Sequence, residues 1–241
     1  MSSPAVSKEQ KKDKKFLLIV VAASCLVAAM FGSRNSLSLT IEGIDQSQTL
    51  NYLQISFAFA LGQLVVGAIS PFAGMIADKY GSGKTLTVGI LLGLLGIILI
   101  PYSTTAFTLS ISLGVISSIG LGVAGLPVVL ASVNRLIPQS KVGMAFGLVN
   151  AGQSLGQLIL APLAGFIIVN FGWILCILFL CTVLLLVLPF SFTLRSRTDT
   201  KQPSGVQTKS LSETLRIAFN TPSYIYLVVG FFVFGFHVAF I

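Results

Sequence analysis

The chain has 241 residues, of which 15 are Lys or Arg and 7 are Asp or Glu, so charged residues make up 9% where soluble domains average about 25%. With 54% hydrophobic residues and a mean hydropathy of +0.94, it carries more apolar surface than one water-soluble core of this size can hide. This excludes an ordinary soluble enzyme and makes lipid the solvent. The net charge of +8 sits at the ends of apolar segments, with no aromatic-interleaved basic patch, and so argues against nucleic acid as a partner.

Apolar stretches of about 20 residues place membrane spans near 16–40, 50–77, 85–104, 107–133, 142–169 and 173–194, with a seventh beginning near 223. The expected fold is an all-α integral membrane bundle of six helices, followed by a linker and the start of a seventh helix. Before the first span lies a basic segment, residues 1–15. Within that span, Ala22-Ala23-Ser24-Cys25 imitates a lipoprotein signal, but the apolar run continues past Cys25, as a membrane helix requires. Gly and Pro recur in the second span (Gly62, Gly67, Pro71, Gly74) and the fourth (Gly120, Gly122, Gly125, Pro127), a usage that membrane helices tolerate and that permits close helix contact. Trp173 and Tyr102 are placed as outer-interface anchors. Cys25, Cys176 and Cys181 lie in apolar runs without Cys or His at metal-ligand spacing and read as small buried hydrophobes, so neither a metal nor a cofactor is expected.

The charges between the spans set an orientation. Lys8, Lys11, Lys12, Lys14 and Lys15 precede the first span; Lys79 and Lys84 join the second to the third. Arg135 and Lys141 join the fourth to the fifth; Arg195, Arg197, Lys201, Lys209 and Arg216 follow the sixth. Fourteen of the fifteen basic residues thus fall on one side, and the loops opposite hold only Glu42 and Asp45. The positive-inside rule then puts the N-terminus in the cytoplasm. Residues 195–222, rich in Ser, Thr, Lys and Gln, read as a cytoplasmic linker, in which Leu211 to Phe219 forms either a surface amphipathic helix or a plain connector.

The stretch Gly74-Met75-Ile76-Ala77-Asp78-Lys79-Tyr80-Gly81-Ser82-Gly83-Lys84 carries the most information. Gly74 is suited to admit a neighbouring helix. Asp78 can accept hydrogen bonds or pair with a cation, Gly81 permits a tight reversal, and Lys79 and Lys84 hold the loop inside. Gly83-Lys84-Thr85 imitates the tail of a phosphate loop, but Asp78 stands where that motif needs Gly.

The stretch resembles the Gly-xxx-Asp-(Arg/Lys)-x-Gly signature of the major facilitator superfamily, with Gly83 where a basic residue is usual. Further blocks resemble bacterial monocarboxylate permeases and oxalate/formate antiporters: Gly32-Ser33-Arg34-Asn35-Ser36, Ser70-Pro71-Phe72-Ala73-Gly74, Gly152 to Gln157 with Pro162 to Gly165, and Gly230 to Ile241. The resemblance implies about twelve helices in two halves, with a cavity lined by the first, fourth, seventh and tenth. It implies a secondary transporter of a small organic anion, a monocarboxylate in the first instance, in the bacterial inner membrane, coupled to protons or to exchange. On this reading the chain is an N-terminal half whose partner half is missing. A non-transporting scaffold or a transporter remnant is the alternative.

Arg34 is the one basic residue within a span. Two readings stand for it. Either it faces the cavity and, with Asn35, binds a carboxylate, or it snorkels outward or pairs with Glu42 or Asp45. Asn150, Gln153, Ser154 and Gln157 of the fifth span lie for the most part on one helical face, as a polar path or, the favoured reading, as interhelical hydrogen-bond glue. That span separates Gly156 from Pro162 where the antiporter signature sets Gly beside Pro, so exchange gains no support there. Gln54 and Gln63, nine residues apart, lie on opposite faces of the second span. His237, the single histidine, reads as a proton relay or as a plain helix contact. No nucleophile, base and orienter occur together, so the chain is not read as an enzyme.

Overall fold

Apolar runs of this length satisfy their peptide groups inside lipid by closing every hydrogen bond within the segment, and here they do so as helices. The computed structural model describes residues 4–47, 50–195, 220–222, 224–226, 228–230 and 233, within two compact units, Met1–Thr198 and Asp199–Ile241. The first unit holds six helical spans long and apolar enough to cross a membrane. They are α1 (Asp13–Gln46), α2 (Tyr52–Tyr80), α3 (Ser82–Tyr102), α4 (Ala106–Leu136), α5 (Gln139–Phe171) and α6 (Trp173–Thr193). In the second unit residues 222, 224–226, 228–230 and 233 are helical. Most of the linker, the segment Leu211 to Phe219, and His237 lie outside the described residues.

The first span runs past its expected end. A 3-10 turn, Ser38–Thr40, leads into a short helix, Ile41–Ser47, so the stretch read as a loop from residue 41 is helical. Ile44, 1% exposed, ties this extension into the core. Reversals occur at Gly81 (φ 89°) and Gly172 (φ 86°), both in backbone conformations that L side chains rarely adopt. Trp173, expected at the lipid interface, is instead 9% exposed and packs on Gly43, where an added Cβ would stand 2.7 Å from the indole. The helical extension of α1 reaches over the start of α6 and buries it. Tyr102 is 77% exposed.

Helices in lipid gain little by hiding apolar surface from one another and associate through close packing instead, which small residues permit. The most extensive pairing joins α1 to α5. A Cβ on Gly156 would stand 2.5 Å from the Ala28 carbonyl carbon, and one on Gly152 2.8 Å from Ser24 Cβ. Ser24 Oγ also donates to the Leu148 carbonyl at 3.2 Å. The α3–α4 crossing is as tight: Gly96 faces Ser117 Cα at 2.5 Å, and Gly120 faces the Gly89 carbonyl oxygen at 2.6 Å, each measured from the missing Cβ. Cys176 and Cys181 are buried, Cys25 is half-buried, and all three are free thiols.

The fourth span is irregular. It opens as an α-helical turn, Ala106–Leu109, widens into a π-helical segment, Ser110–Ser117, returns to α-helix at Ser118–Val123, and restarts as Leu126–Leu136 with Pro127 in its first turn. Pro127 lacks the N–H that a continuous helix would need, so the break falls just before it, at Gly125.

At the basic end, hydroxyls fasten the close of α6. Ser82 Oγ and Ser132 Oγ both donate to the Leu194 carbonyl, at 2.9 and 2.6 Å, and the Thr87 and Ser191 hydroxyls lie 2.7 Å apart. Gly83 is part of this fastening: a Cβ there would stand 2.9 Å from Arg195 Cα. The departure from the usual basic residue therefore has a packing cause.

A mid-membrane cavity and the loop that closes the basic end

Three spans leave a cavity of about 400 Å³ between them. α1 contributes Arg34, Asn35 and Ser38; α2 contributes Phe59 and Gln63; α4 contributes Ser117 and Ser118. The α2–α4 crossing forms its floor. Gly62 lacks the side chain that would stand 2.6 Å from Ser118 Oγ, and Gly114 lets α4 approach the Ala58 carbonyl. Gln63 lies three residues from the middle of α2, or about 5 Å at 1.5 Å per residue, so the cavity sits near the centre of the bundle.

Arg34 donates from its terminal guanidinium nitrogen to the Gln63 side-chain oxygen. With the helical extension to Ser47, Arg34 lies within five residues of the middle of α1, Asp13–Gln46. Its partner is neither Glu42 nor Asp45: the Glu42 carboxylate accepts from Gln46 at 3.2 Å. Asn35, beside it, is exposed to the cavity. Gln54 lies apart, accepting the Asn51 backbone N–H at 3.1 Å at the start of α2.

The hydroxyls of the cavity wall have spent their protons. Ser117 and Ser118 both donate to the Leu113 carbonyl, at 3.1 and 3.0 Å, and Ser38 donates to the Asn35 carbonyl at 2.7 Å. What they retain is acceptor capacity. The cavity thus opposes one fixed positive charge to neutral acceptors and an apolar remainder, an arrangement suited to a small anion with an uncharged body.

At the far end of α2, Gly81 makes its expected reversal, with its N–H bonded to the Ala77 carbonyl at 2.9 Å. Asp78 accepts from Arg135 at the end of α4, an ion pair that crosses between spans. Lys79 rests over the Tyr80 ring at 5.4 Å and Lys84 is exposed. Gly74 departs from expectation: among the described residues nothing lies within 4 Å of where its Cβ would stand. It faces away from the packed side of α2, a helix that is largely exposed along its apolar length. A second ion pair joins Lys141 to Asp13 at 2.7 Å, with the Lys141 ammonium also over the Phe16 ring at 5.2 Å.

The polar residues of α5 do not act as interhelical glue among the described residues. Asn150 is exposed and donates to the Phe146 carbonyl of its own helix at 2.9 Å, and Gln153 and Gln157 are half-buried. Contact with α1 falls to Gly152 and Gly156, because the backbones approach too closely there for polar side chains to intervene. Two residues of the site were not singled out from the sequence for what they contact: Gln63, paired with Arg34, and Arg135, paired with Asp78. The signal for each was an unpaired charge at a matching depth on a neighbouring span.

Six apolar helices, three of which line a cavity that mixes polar and apolar side chains, define a multi-pass membrane protein with a solute-sized site. The chain belongs to the Major Facilitator Superfamily, whose family model matches residues 21–241. Among relatives, riboflavin transporter RibZ of Clostridioides difficile is 27% identical over 67% of this chain and 35% of its own length. Mouse monocarboxylate transporter 11 is 25% identical over 74% of this chain and 39% of its own. Further monocarboxylate transporters of mouse and human also match. The chain therefore spans less than half the length of these relatives. The xylose transporter XylE of E. coli, in an inward-open conformation, shares the fold with a TM-score of 0.63 at 15% identity, over 74% of this chain and 48% of that one.

Proposed function

We propose that the protein is a secondary transporter carrying a small organic anion, a monocarboxylate in the first instance, across the bacterial inner membrane by alternating access. The observation that carries this reading is Arg34, a single cation held near the middle of the apolar spans in a cavity with an otherwise neutral lining. An intramembrane charge is costly and marks a transport path when it faces a cavity. Arg34 binds the carboxylate through two parallel hydrogen bonds, with Asn35 beside it. The names of the monocarboxylate transporters among the relatives favour the same solute class. The N-terminus lies in the cytoplasm, as the one-sided basic residues argue. There the loop from Gly74 to Lys84, with Asp78 bound to Arg135, governs the inward gate without touching solute. The six-helix unit rocks against a second bundle, joined through the linker and the helix that begins near 223.

The test is counterflow of short carboxylates by the full-length protein in liposomes. Arg34→Gln is expected to raise the half-saturation concentration at least tenfold, since hydrogen bonds to charged groups contribute about 1.5–3 kcal/mol. Transport of a carboxylate by this variant with unchanged half-saturation and rate refutes the assignment.

A further inference from the structure

Arg34 is a permanent cation, yet its hydrogen-bond partner is neutral. No carboxylate is among the described residues that line the cavity: Asp78 and Asp13 pair with Arg135 and Lys141 at the basic end, and Glu42 accepts from Gln46. Among the described residues lining the cavity, Arg34 is the one ionisable side chain. The wall hydroxyls are already bonded to the Leu113 and Asn35 carbonyls. Gln63 supplies the oxygen that holds the guanidinium in the cavity rather than along the helix surface.

We infer that Gln63 is a placeholder for the solute: its amide oxygen takes, in the empty site, the position of one carboxylate oxygen of the bound anion. The inference rests on the carboxylate reading given above. A neutral acceptor suits the task because it orients Arg34 yet bonds it more weakly than a carboxylate does, so an arriving anion displaces it with a net gain. A fixed carboxylate at position 63 would form a full ion pair and compete with the solute. An apolar side chain would leave the guanidinium without its partner, raise the free energy of the empty site, and so strengthen solute binding. Gln63 is thereby a positioning residue that sets affinity through Arg34.

The experiment measures counterflow of acetate, propionate and lactate by the full-length protein in liposomes for wild type, Gln63→Glu, Gln63→Leu, Gln63→Met and Arg34→Gln. Size-exclusion profiles confirm that each variant is folded. Gln63→Glu is expected to raise half-saturation at least tenfold, equivalent to about 1.4 kcal/mol, with little change in maximal rate. Gln63→Leu is expected to lower half-saturation about threefold, and Gln63→Met, close to glutamine in volume, decides the matter if the leucine variant does not fold. Opposite signs for the acidic and the apolar variants are the signature, because a merely structural residue would weaken binding in both. If both weaken it, or neither changes it, while Arg34→Gln still impairs uptake, the placeholder role is overturned and the carboxylate reading stands. If wild type moves none of the three acids, or Arg34→Gln is silent, the carboxylate reading falls and the placeholder with it.

Discussion

Replacing Gly156 by Ala probes the α1–α5 pairing at its tightest point. The new Cβ would stand 2.5 Å from the Ala28 carbonyl carbon, where an unstrained carbon contact needs about 3.5–4.0 Å. The atoms opposite belong to backbone, so no side chain can turn aside, and the helices must part by about 1 Å or more along this stretch. Overpacking of this kind costs about 1–3 kcal/mol. Alanine recovers about 1 kcal/mol of helix propensity over glycine, leaving a net loss of up to about 2 kcal/mol, toward the upper end here because three backbone atoms of Ala28 crowd the site. Gly165→Ala is the control, because nothing among the described residues lies within 4 Å of its Cβ position. The assay is thermal unfolding in detergent followed by a thiol-reactive dye, with buried Cys176 and Cys181 as reporters. Gly156→Ala should melt several degrees below wild type, and Gly165→Ala at or above it. A Gly156→Ala protein as stable as the Gly165→Ala control would refute the claim that backbone contact limits this crossing.

Restoring the usual basic residue with Gly83→Arg should destabilise the protein by about 2–3 kcal/mol in the same assay, since the Arg195 backbone occupies the space. Trp173 is the single tryptophan, so its intrinsic fluorescence should be blue-shifted and nearly unquenched by iodide; quenching like that of free tryptophan would place it outside the Gly43 contact. Asp78→Asn should change stability by less than about 1 kcal/mol, because the pair with Arg135 is exposed, with relative side-chain exposures of 53% and 37%. The same variant should slow counterflow severalfold if this contact governs the inward gate, and an unaltered rate would remove the loop from the mechanism.

The six spans were legible because apolar length is a local property: five expected segments match the helical spans to within three residues at each end, and the first runs six residues further. Gly81 was legible for the same reason, since a reversal between two spans needs a residue tolerant of positive φ. What failed depended on neighbours distant in sequence. Trp173 was read by its position near a span end, but its environment is made by Gly43, about 130 residues earlier. Gly74 was read from a motif, yet the described unit leaves its face uncovered. The amides of α5 had the right spacing for a shared face but the wrong partners, because α1 approaches on glycine. Gln63 was judged against Gln54 along one helix, whereas its meaning lies across the cavity, on Arg34.

The pairing of α1 with α5 has a consequence for how the protein is made. Ser24 and Leu148, joined by a hydrogen bond, are 124 residues apart in the chain. At about 5–20 residues per second, a ribosome needs roughly 6–25 s to add that interval. Throughout it the first helix waits in the bilayer without its main partner, its small-residue face open to lipid, although Arg34 can meet Gln63 as soon as the second helix follows. Nor does the second helix close that gap, since its own tight contacts are with the fourth. The bundle therefore interlocks late, when the fifth helix arrives, and the cell's insertion machinery has to shelter an early helix whose small-residue face has nothing yet to meet.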